Sequence, residues 1–232
     1  MGAQSTMADV DRRVPRWLGL AFLVVIATSL VSGLLINGAV GTGGMAEALA
    51  KIAADPGPIR LGVVLGLATS LGVIVLAVLL FTVLRGQAPV LALVALGWWL
   101  GEALVLAVAR VSDAALIPLG QTFVAAGSPE GSPLLALGTF IRDGLDKGLG
   151  STTHMLFYCV GGLIWYGLLL RSNYIPRVIA AFGVAAAGLG LAGIIADLLG
   201  ATVPMAVYVP LLPFELSIGL WLVAKGIRTA EA

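Results

Sequence analysis

Long apolar segments follow one another along this chain and are separated by shorter polar connections. Six of them are about 20 residues or longer, which is the length that a transmembrane helix needs. These segments lie at residues 17–39, 59–84, 90–110, 149–170, 175–198 and 203–224. Membrane-spanning β-strands are shorter and alternate between apolar and polar residues, which these segments do not. The pattern predicts an all-α fold, a polytopic membrane helical bundle with six transmembrane helices.

The composition agrees with a protein that has lipid as its main surroundings. Hydrophobic residues make up 59% of the chain and charged residues 11%, whereas soluble domains carry about 25% charged residues. The net charge of +1 is too small for the electrostatic attraction that nucleic-acid binding requires. We therefore expect the lipid bilayer as a partner and no nucleic acid.

Basic residues near the segment ends predict the orientation, because lysine and arginine favour the cytoplasmic side. One side of the bundle would carry Arg12, Arg13, Arg16, Arg85, Arg171, Arg177, Lys225 and Arg228. The opposite side would carry Lys51, Arg60, Arg110, Arg142 and Lys147. The first set is larger and occupies the tightest connections, so we expect cytoplasmic tails at 1–16 and 227–232. External connections would then lie at 40–58 and 111–148, within a single transmembrane domain at 17–226.

Both long connections carry helical signals. Met45, Leu49 and Ile52 recur at helical spacing and predict a short helix that lies in the membrane interface. Ser132 followed by Pro133 is typical of an N-cap and the first residue of a helix. We expect the segment after Pro133 either to cover the outer mouth of the bundle or to extend the fourth transmembrane helix; a solvated connector is the alternative.

Ionisable residues within or at the edge of the apolar segments are the main functional signal. They are Glu102, His154, Asp197 and Glu215. A charge at the centre of a membrane costs about 2.5–3.5 kcal/mol on insertion scales, so such residues usually pair or line a wet cavity. Their positions along the segments are compatible with one cavity in the outer half of the bundle. The alternative is a set of structural hydrogen bonds between helices.

Helical spacing adds neighbours to these ionisable residues. Ser151, His154 and Tyr158 share one face of the fourth segment, and Trp98 shares a face with Glu102 in the third. In the fifth segment a seam of small residues should face another helix and direct its last member into the bundle. That seam consists of Gly183, Ala186, Gly190, Gly193 and Asp197. The candidate cavity or ligand residues are therefore Glu102, His154, Glu215, Asp197, Tyr158, Trp98 and Ser151.

Metal binding has weaker support than ligand binding. One histidine with several acids is a possible zinc set, which here would be His154, Glu102, Asp197 and Glu215. No closely spaced histidine pair supports it, so we assign no metal, and the sequence leaves any cofactor open. Ser151 and His154 share a helix face, but they lack the third member of a catalytic triad.

Two prolines precede the last of the intramembrane acids. Pro210 and Pro213 remove backbone hydrogen bonds, which a membrane helix tolerates where a neighbour or a cavity satisfies the freed carbonyls. The position beside Glu215 favours a functional kink, and an ordinary packing kink is the alternative.

Several stretches of the second half carry a family resemblance. They are His154-Met155-Leu156-Phe157, the connection Arg171-Ser172-Asn173-Tyr174-Ile175-Pro176-Arg177, Phe214-Glu215-Leu216 and the stretch from Trp221 to Gly226. With them the chain resembles the family of bacterial membrane proteins catalogued as domain of unknown function 4386. The resemblance implies a multi-pass domain in the bacterial inner membrane and no particular activity.

Three functions follow from these patterns. The first is a small-ligand or proton-coupled protein, permease-like or sensory, with an outward-facing polar cavity; the midplane acids and the proline-broken sixth segment favour it. The second is an intramembrane enzyme that modifies lipid, possibly with a metal. The third is a structural or regulatory membrane subunit. No reaction motif is present, so an enzyme is the less favoured interpretation.

Overall fold

A computed structural model describes residues 13–228, except for the side chains of residues 147, 149 and 150. Most of the predicted N-terminal tail and residues 229–232 therefore lie outside the described part, as does the side chain of Lys147. The helices are α1 (Val14–Val40), α2 (Met45–Ala54), α3 (Gly57–Leu84), α4 (Pro89–Ala125), α5 (Pro133–Thr139), α6 (His154–Ser172), α7 (Arg177–Leu198) and α8 (Leu211–Lys225). A π-helical segment (Phe140–Thr153) joins α5 to α6, and a 3-10 turn (Met205–Val207) precedes α8.

Six helical segments of the described chain are long and apolar enough to cross a membrane. They are α1, α3, α4, the continuous helix Pro133–Ser172, α7 and the segment Met205–Lys225. No residue between 13 and 228 is in a β-strand. Both findings confirm the predicted all-α bundle with six transmembrane helices.

The third transmembrane helix is longer than the apolar pattern predicts. The predicted segment ends at Arg110, whereas α4 continues to Ala125. The reason is that Arg110 meets the carboxylate of Asp113 one turn later, at 2.9 Å. An ion pair between residues three apart on a helix stabilises that helix, so the charge at Arg110 does not end it.

The segment after Pro133 extends the fourth transmembrane helix, which was the second of the two expected arrangements. The hydroxyl of Ser132 accepts a hydrogen bond from the backbone N–H of Leu134 at 3.3 Å, which confirms the predicted N-cap. The helix then passes without interruption through 14 π-helical residues into α6. Because π-helices mostly occur as single turns and often at functional sites, a segment of this length is unusual.

The described residues form two compact units that are described separately here. The first unit contains the residues up to Ile26, Leu71–Ala103 and the residues from Met155 onward. The second unit contains Ala27–Ser70 and Leu104–His154.

In the first unit, the small-residue seam of α7 is buried, as predicted. A methyl group on Gly183 would meet the ring of Phe214, and one on Gly190 would lie 2.9 Å from the sulfur of Cys159. Both positions therefore need glycine for the close approach of α7 to its neighbours. The last member of the seam departs from the prediction, because Asp197 is exposed and does not point into the bundle.

In the second unit, the short helix α2 exists as predicted, but protein covers its apolar side. Leu49 and Ile52 are almost completely buried and belong to one apolar core with Ile36, Ile59 and Phe123. The apolar side of the helix therefore contributes to the core of this unit.

Candidate functional site

Two polar regions of the structure contain most of the predicted candidates. The first lies in the first unit, and we call it the acidic–aromatic cluster: Glu102 from α4, Tyr158 and Tyr166 from α6, Glu215 from α8, and Trp99 from α4. Tyr158 and Tyr166 are eight residues apart, about two helical turns. Both side chains thus lie on one face of α6, where their hydroxyl groups can meet each other.

A chain of hydrogen bonds connects three members of the cluster. The hydroxyl of Tyr158 donates to Oε1 of Glu215 at 2.8 Å. The hydroxyl oxygens of Tyr158 and Tyr166 are 3.0 Å apart. A tyrosine hydroxyl carries only one proton, so Tyr166 donates to Tyr158 while Tyr158 donates to Glu215. The arrangement is a directed chain that ends on a carboxylate.

Glu102 is the second acid of the cluster. It is 5% exposed, and its Oε2 is buried with no hydrogen-bond partner among residues 13–228. Glu102 lies within electrostatic range of Glu215, and also of Cys159 and Tyr166. The structure thus brings together Glu102, Glu215 and Tyr158, three of the residues that the sequence singles out.

Aromatic rings enclose these polar groups. The ring of Trp99 stacks on that of Tyr158, with centroids 5.8 Å apart and planes 9° apart. The Trp99 Nε1–H donates to the backbone carbonyl of Tyr158 at 3.2 Å. Trp165 and Tyr166 each meet Trp99 edge-on at 6.3 Å. The predicted wall residue Trp98 is instead half-buried and packs edge-on against Phe157 at 5.1 Å. The cluster therefore uses Trp99 where the sequence analysis expected Trp98.

The second polar region is a pocket in the second unit, with a volume of about 150 Å³. We call it the hydroxyl pocket, because four of its lining side chains are hydroxyls. Its lining residues are Ser29, Ser32, Gly33, Gly66, Thr69, Leu106, Arg110, Ser151 and His154. His154 and Ser151, two of the sequence candidates, thus line a pocket of the second unit, whereas Glu102 and Glu215 belong to the first.

An ion network in the second unit holds Arg110 of the pocket in place. Its guanidinium lies 2.9 Å from Asp113 and 3.2 Å from Asp146. Arg142 pairs with Asp146, donates to the side-chain carbonyl of Asn37 and lies 3.8 Å from Asp113. Asp113 is completely buried. The sequence analysis missed this network, although the spacings of three and four residues within the two Arg–Asp pairs are typical of ion pairs on a helix.

The predicted metal set is not assembled. Within the described part of the chain, no group of three or more His, Cys, Asp or Glu side chains is arranged to hold a metal ion. Asp197 lies exposed near the end of α7, within electrostatic range of Tyr208. The described residues therefore give no support to His154, Glu102, Asp197 and Glu215 as a metal site.

Comparison with known proteins identifies the family. The model of the family described as Domain of unknown function (DUF4386) matches residues 17–226, so the chain belongs to that family. This confirms the resemblance seen in the sequence. Neither the comparison with curated proteins nor that with solved structures finds a match.

Proposed function

We propose that this member of the DUF4386 family is a proton-coupled membrane protein for a small ligand, permease-like or sensory in its action. The observation that carries the proposal is the acidic–aromatic cluster. It contains two glutamates on membrane-spanning helices, and one of them ends a chain of tyrosine hydroxyls. Acids inside membrane helices commonly mark ion pathways and proton relays.

The hydroxyl groups of the hydrogen-bond chain all donate toward Glu215, as proton transfer to that residue requires. When Glu215 takes up a proton, the hydroxyls of Tyr158 and Tyr166 can reverse their donor directions, since each can donate or accept. The free Oε2 of Glu102 is a second acceptor within electrostatic range of the first. A proton on either acid changes the charge that the other acid experiences. Two acids coupled in this way are suited to respond to proton binding.

The packing of the cluster suits a proton better than a larger ion or solute. Trp99, Trp165 and Tyr166 are at most 1% exposed, and the ring of Trp99 packs edge-on against both of the others. A proton needs no volume of its own, whereas a solute would have to displace these rings. The cluster therefore acts as the proton site, and a ligand binds elsewhere.

The orientation belongs to the same proposal. The excess of lysine and arginine beside the tight connections supports cytoplasmic termini, with the protein in the inner membrane of a bacterial cell. Under this orientation the connection between α1 and α3, which contains α2, and the connection between α4 and α5 face outward.

Infrared difference spectroscopy tests the proton site without knowledge of the ligand. Protein reconstituted in lipid is moved between acidic and alkaline buffer, and the C=O stretch of protonated carboxyl groups is recorded. We expect a band from carboxyls in apolar surroundings that is lost in Glu215→Gln and shifted in Glu102→Gln. Glu130→Gln, an exposed position in a turn, is the matched control and should leave that band unchanged.

Vesicle experiments test the coupling. A panel of small polar solutes is offered to vesicles with and without an imposed pH gradient. The gradient should accelerate uptake by the wild type and by Glu130→Gln, and it should have no effect on Glu215→Gln. Identical gradient dependence in all variants would contradict the proposal. If uptake by Glu215→Gln kept the same gradient dependence and only its thermal stability fell, the hydrogen bond between α6 and α8 would be purely structural.

A further inference from the structure

The hydroxyl pocket of the second unit presents several polar groups, none of them acidic, along a lining that is otherwise apolar. Hydroxyl groups come from Ser29, Ser32, Thr69 and Ser151, and further polar groups come from Arg110 and His154. No carboxylate is among the lining residues. Hydroxyls and imidazole both donate and accept hydrogen bonds, whereas guanidinium only donates. A ligand with both donors and acceptors would satisfy this lining best.

The charge around Arg110 is already balanced. Asp113 and Asp146 both contact its guanidinium, and Arg142 pairs with the same two acids. Two arginines and two aspartates sum to zero. An anion in the pocket would bring a further negative charge close to Asp113 and Asp146, which the balanced network would oppose. Arg110 therefore brings no net positive charge to the pocket.

The lining hydroxyls keep acceptor capacity. Ser32 donates to the carbonyl of Gly62 at 2.7 Å, and Thr69 lies 2.8 Å from the hydroxyl of Thr28. Each hydroxyl oxygen has two lone pairs, so both can still accept a bond from a ligand O–H. The pocket volume of about 150 Å³ is similar to that of an engineered protein cavity that holds one benzene molecule. This size suits a molecule of few heavy atoms.

We propose that the hydroxyl pocket binds a small neutral polyhydroxylated solute of about the size of a four-carbon polyol. The inference rests on the proposed function only for the use of the solute, which would be the ligand that the proton-coupled protein handles. Binding itself depends on the second unit alone, since every lining residue belongs to that unit.

Glycines on α1 provide a matched pair of variants that test the pocket by volume. Gly33 lines the pocket, and a methyl group built on it meets no atom within 4 Å. Gly38 lies on the same helix with equally open surroundings and does not line the pocket. Gly33→Leu should therefore fill the pocket with a side chain, whereas Gly38→Leu adds the same side chain outside it.

Saturation-transfer NMR with erythritol as the probe measures weak binding to the full-length protein in detergent. Transfer should be clear for the wild type and for Gly38→Leu, and lost for Gly33→Leu. As a second variant, Ser29→Ala removes a lining hydroxyl without adding volume and should weaken binding about two- to tenfold, the equivalent of one hydrogen bond. This variant keeps the test decisive if Gly33→Leu does not fold.

Three results would overturn the inference. They are equal transfer to erythritol in Gly33→Leu and Gly38→Leu, no transfer from the wild type to erythritol, and loss of the erythritol signal when acetate or phosphate is added as a competitor. The last result would assign the pocket to anions. Glu215→Gln separates the two proposals, because it should keep erythritol binding and lose only the response to protons. If Glu215→Gln kept both erythritol binding and the response to protons, the proposed function would be contradicted and the binding inference would stand.

Discussion

The hydrogen bond between Tyr158 and Glu215 is the most direct test of the acidic–aromatic cluster. Tyr158→Phe removes the hydroxyl that lies 2.8 Å from Glu215 and 3.0 Å from Tyr166. The phenyl ring can keep its stacking on Trp99. The substitution therefore isolates the hydroxyl from the packing of the ring, and any loss of stability reports on hydrogen bonding.

The expected magnitude follows from measurements on comparable bonds. Hydrogen bonds between helices of a membrane protein average about 0.6 kcal/mol and reach about 1.7 kcal/mol. Bonds to charged groups in proteins are stronger, at about 1.5–3 kcal/mol. Tyr158 donates to a partly buried carboxyl group, so we expect a coupling free energy of about 1–2 kcal/mol between Tyr158 and Glu215.

A double-mutant cycle measures this coupling. The free energies of unfolding of wild type, Tyr158→Phe, Glu215→Gln and the double variant are obtained by SDS titration in mixed micelles, followed by tryptophan fluorescence. Tyr158→Phe should cost less in the Glu215→Gln background than in the wild type. Tyr166→Phe removes only the second bond of the chain and should cost about 0.5–1 kcal/mol. An equal cost of Tyr158→Phe in both backgrounds would refute the reasoning.

Two further predictions concern the ion network and the buried thiol. Asp113→Asn leaves Arg110 and Arg142 with one fewer carboxylate in a buried setting, so it should lower the free energy of unfolding by about 3 kcal/mol in the same SDS titration. The exposed control Glu130→Gln should leave the free energy of unfolding unchanged. A loss below about 0.5 kcal/mol for Asp113→Asn would contradict a network that stabilises the fold. Cys159, the single cysteine of the chain, is 0% exposed. It should resist labelling by maleimide until the protein unfolds, because buried thiols are inert. Labelling of native protein at the rate of unfolded protein would show that the cluster opens in the native state.

The candidate site could be predicted from the sequence in part. Glu102 and Glu215 stand out because acids are costly in apolar segments, and Tyr158 stands out by its helical spacing from other polar residues. The partner Tyr166 gave no such signal, since aromatic residues near the end of a transmembrane helix are usually interface residues. Its role depends on contact with Tyr158, which the sequence pattern does not contain.

Two adjacent residues of α4, Trp98 and Trp99, show why the sequence could not predict which side chain is directed toward the cluster. Neighbouring positions on an α-helix differ by about 100° in direction, so the boundary between two faces falls between Trp98 and Trp99. The spacing from Glu102 favours Trp98, whereas the packing of α4 against α6 places Trp99 on Tyr158. A small rotation of a helix, fixed only by its neighbours, decides such cases.

The sequence by itself determined the all-α class, the six transmembrane helices and the N-cap at Ser132, because length, hydropathy and capping are local properties of the chain. The tertiary structure alone decided that Glu102 and Glu215 share a cluster, that His154 and Ser151 line a separate pocket, and that Asp197 is exposed. These outcomes depend on contacts between residues far apart in the chain. The physical reason is that a bilayer stabilises any sufficiently long apolar helix, whatever its neighbours. A buried polar group, by contrast, is stabilised only by the particular partner that packing brings to it.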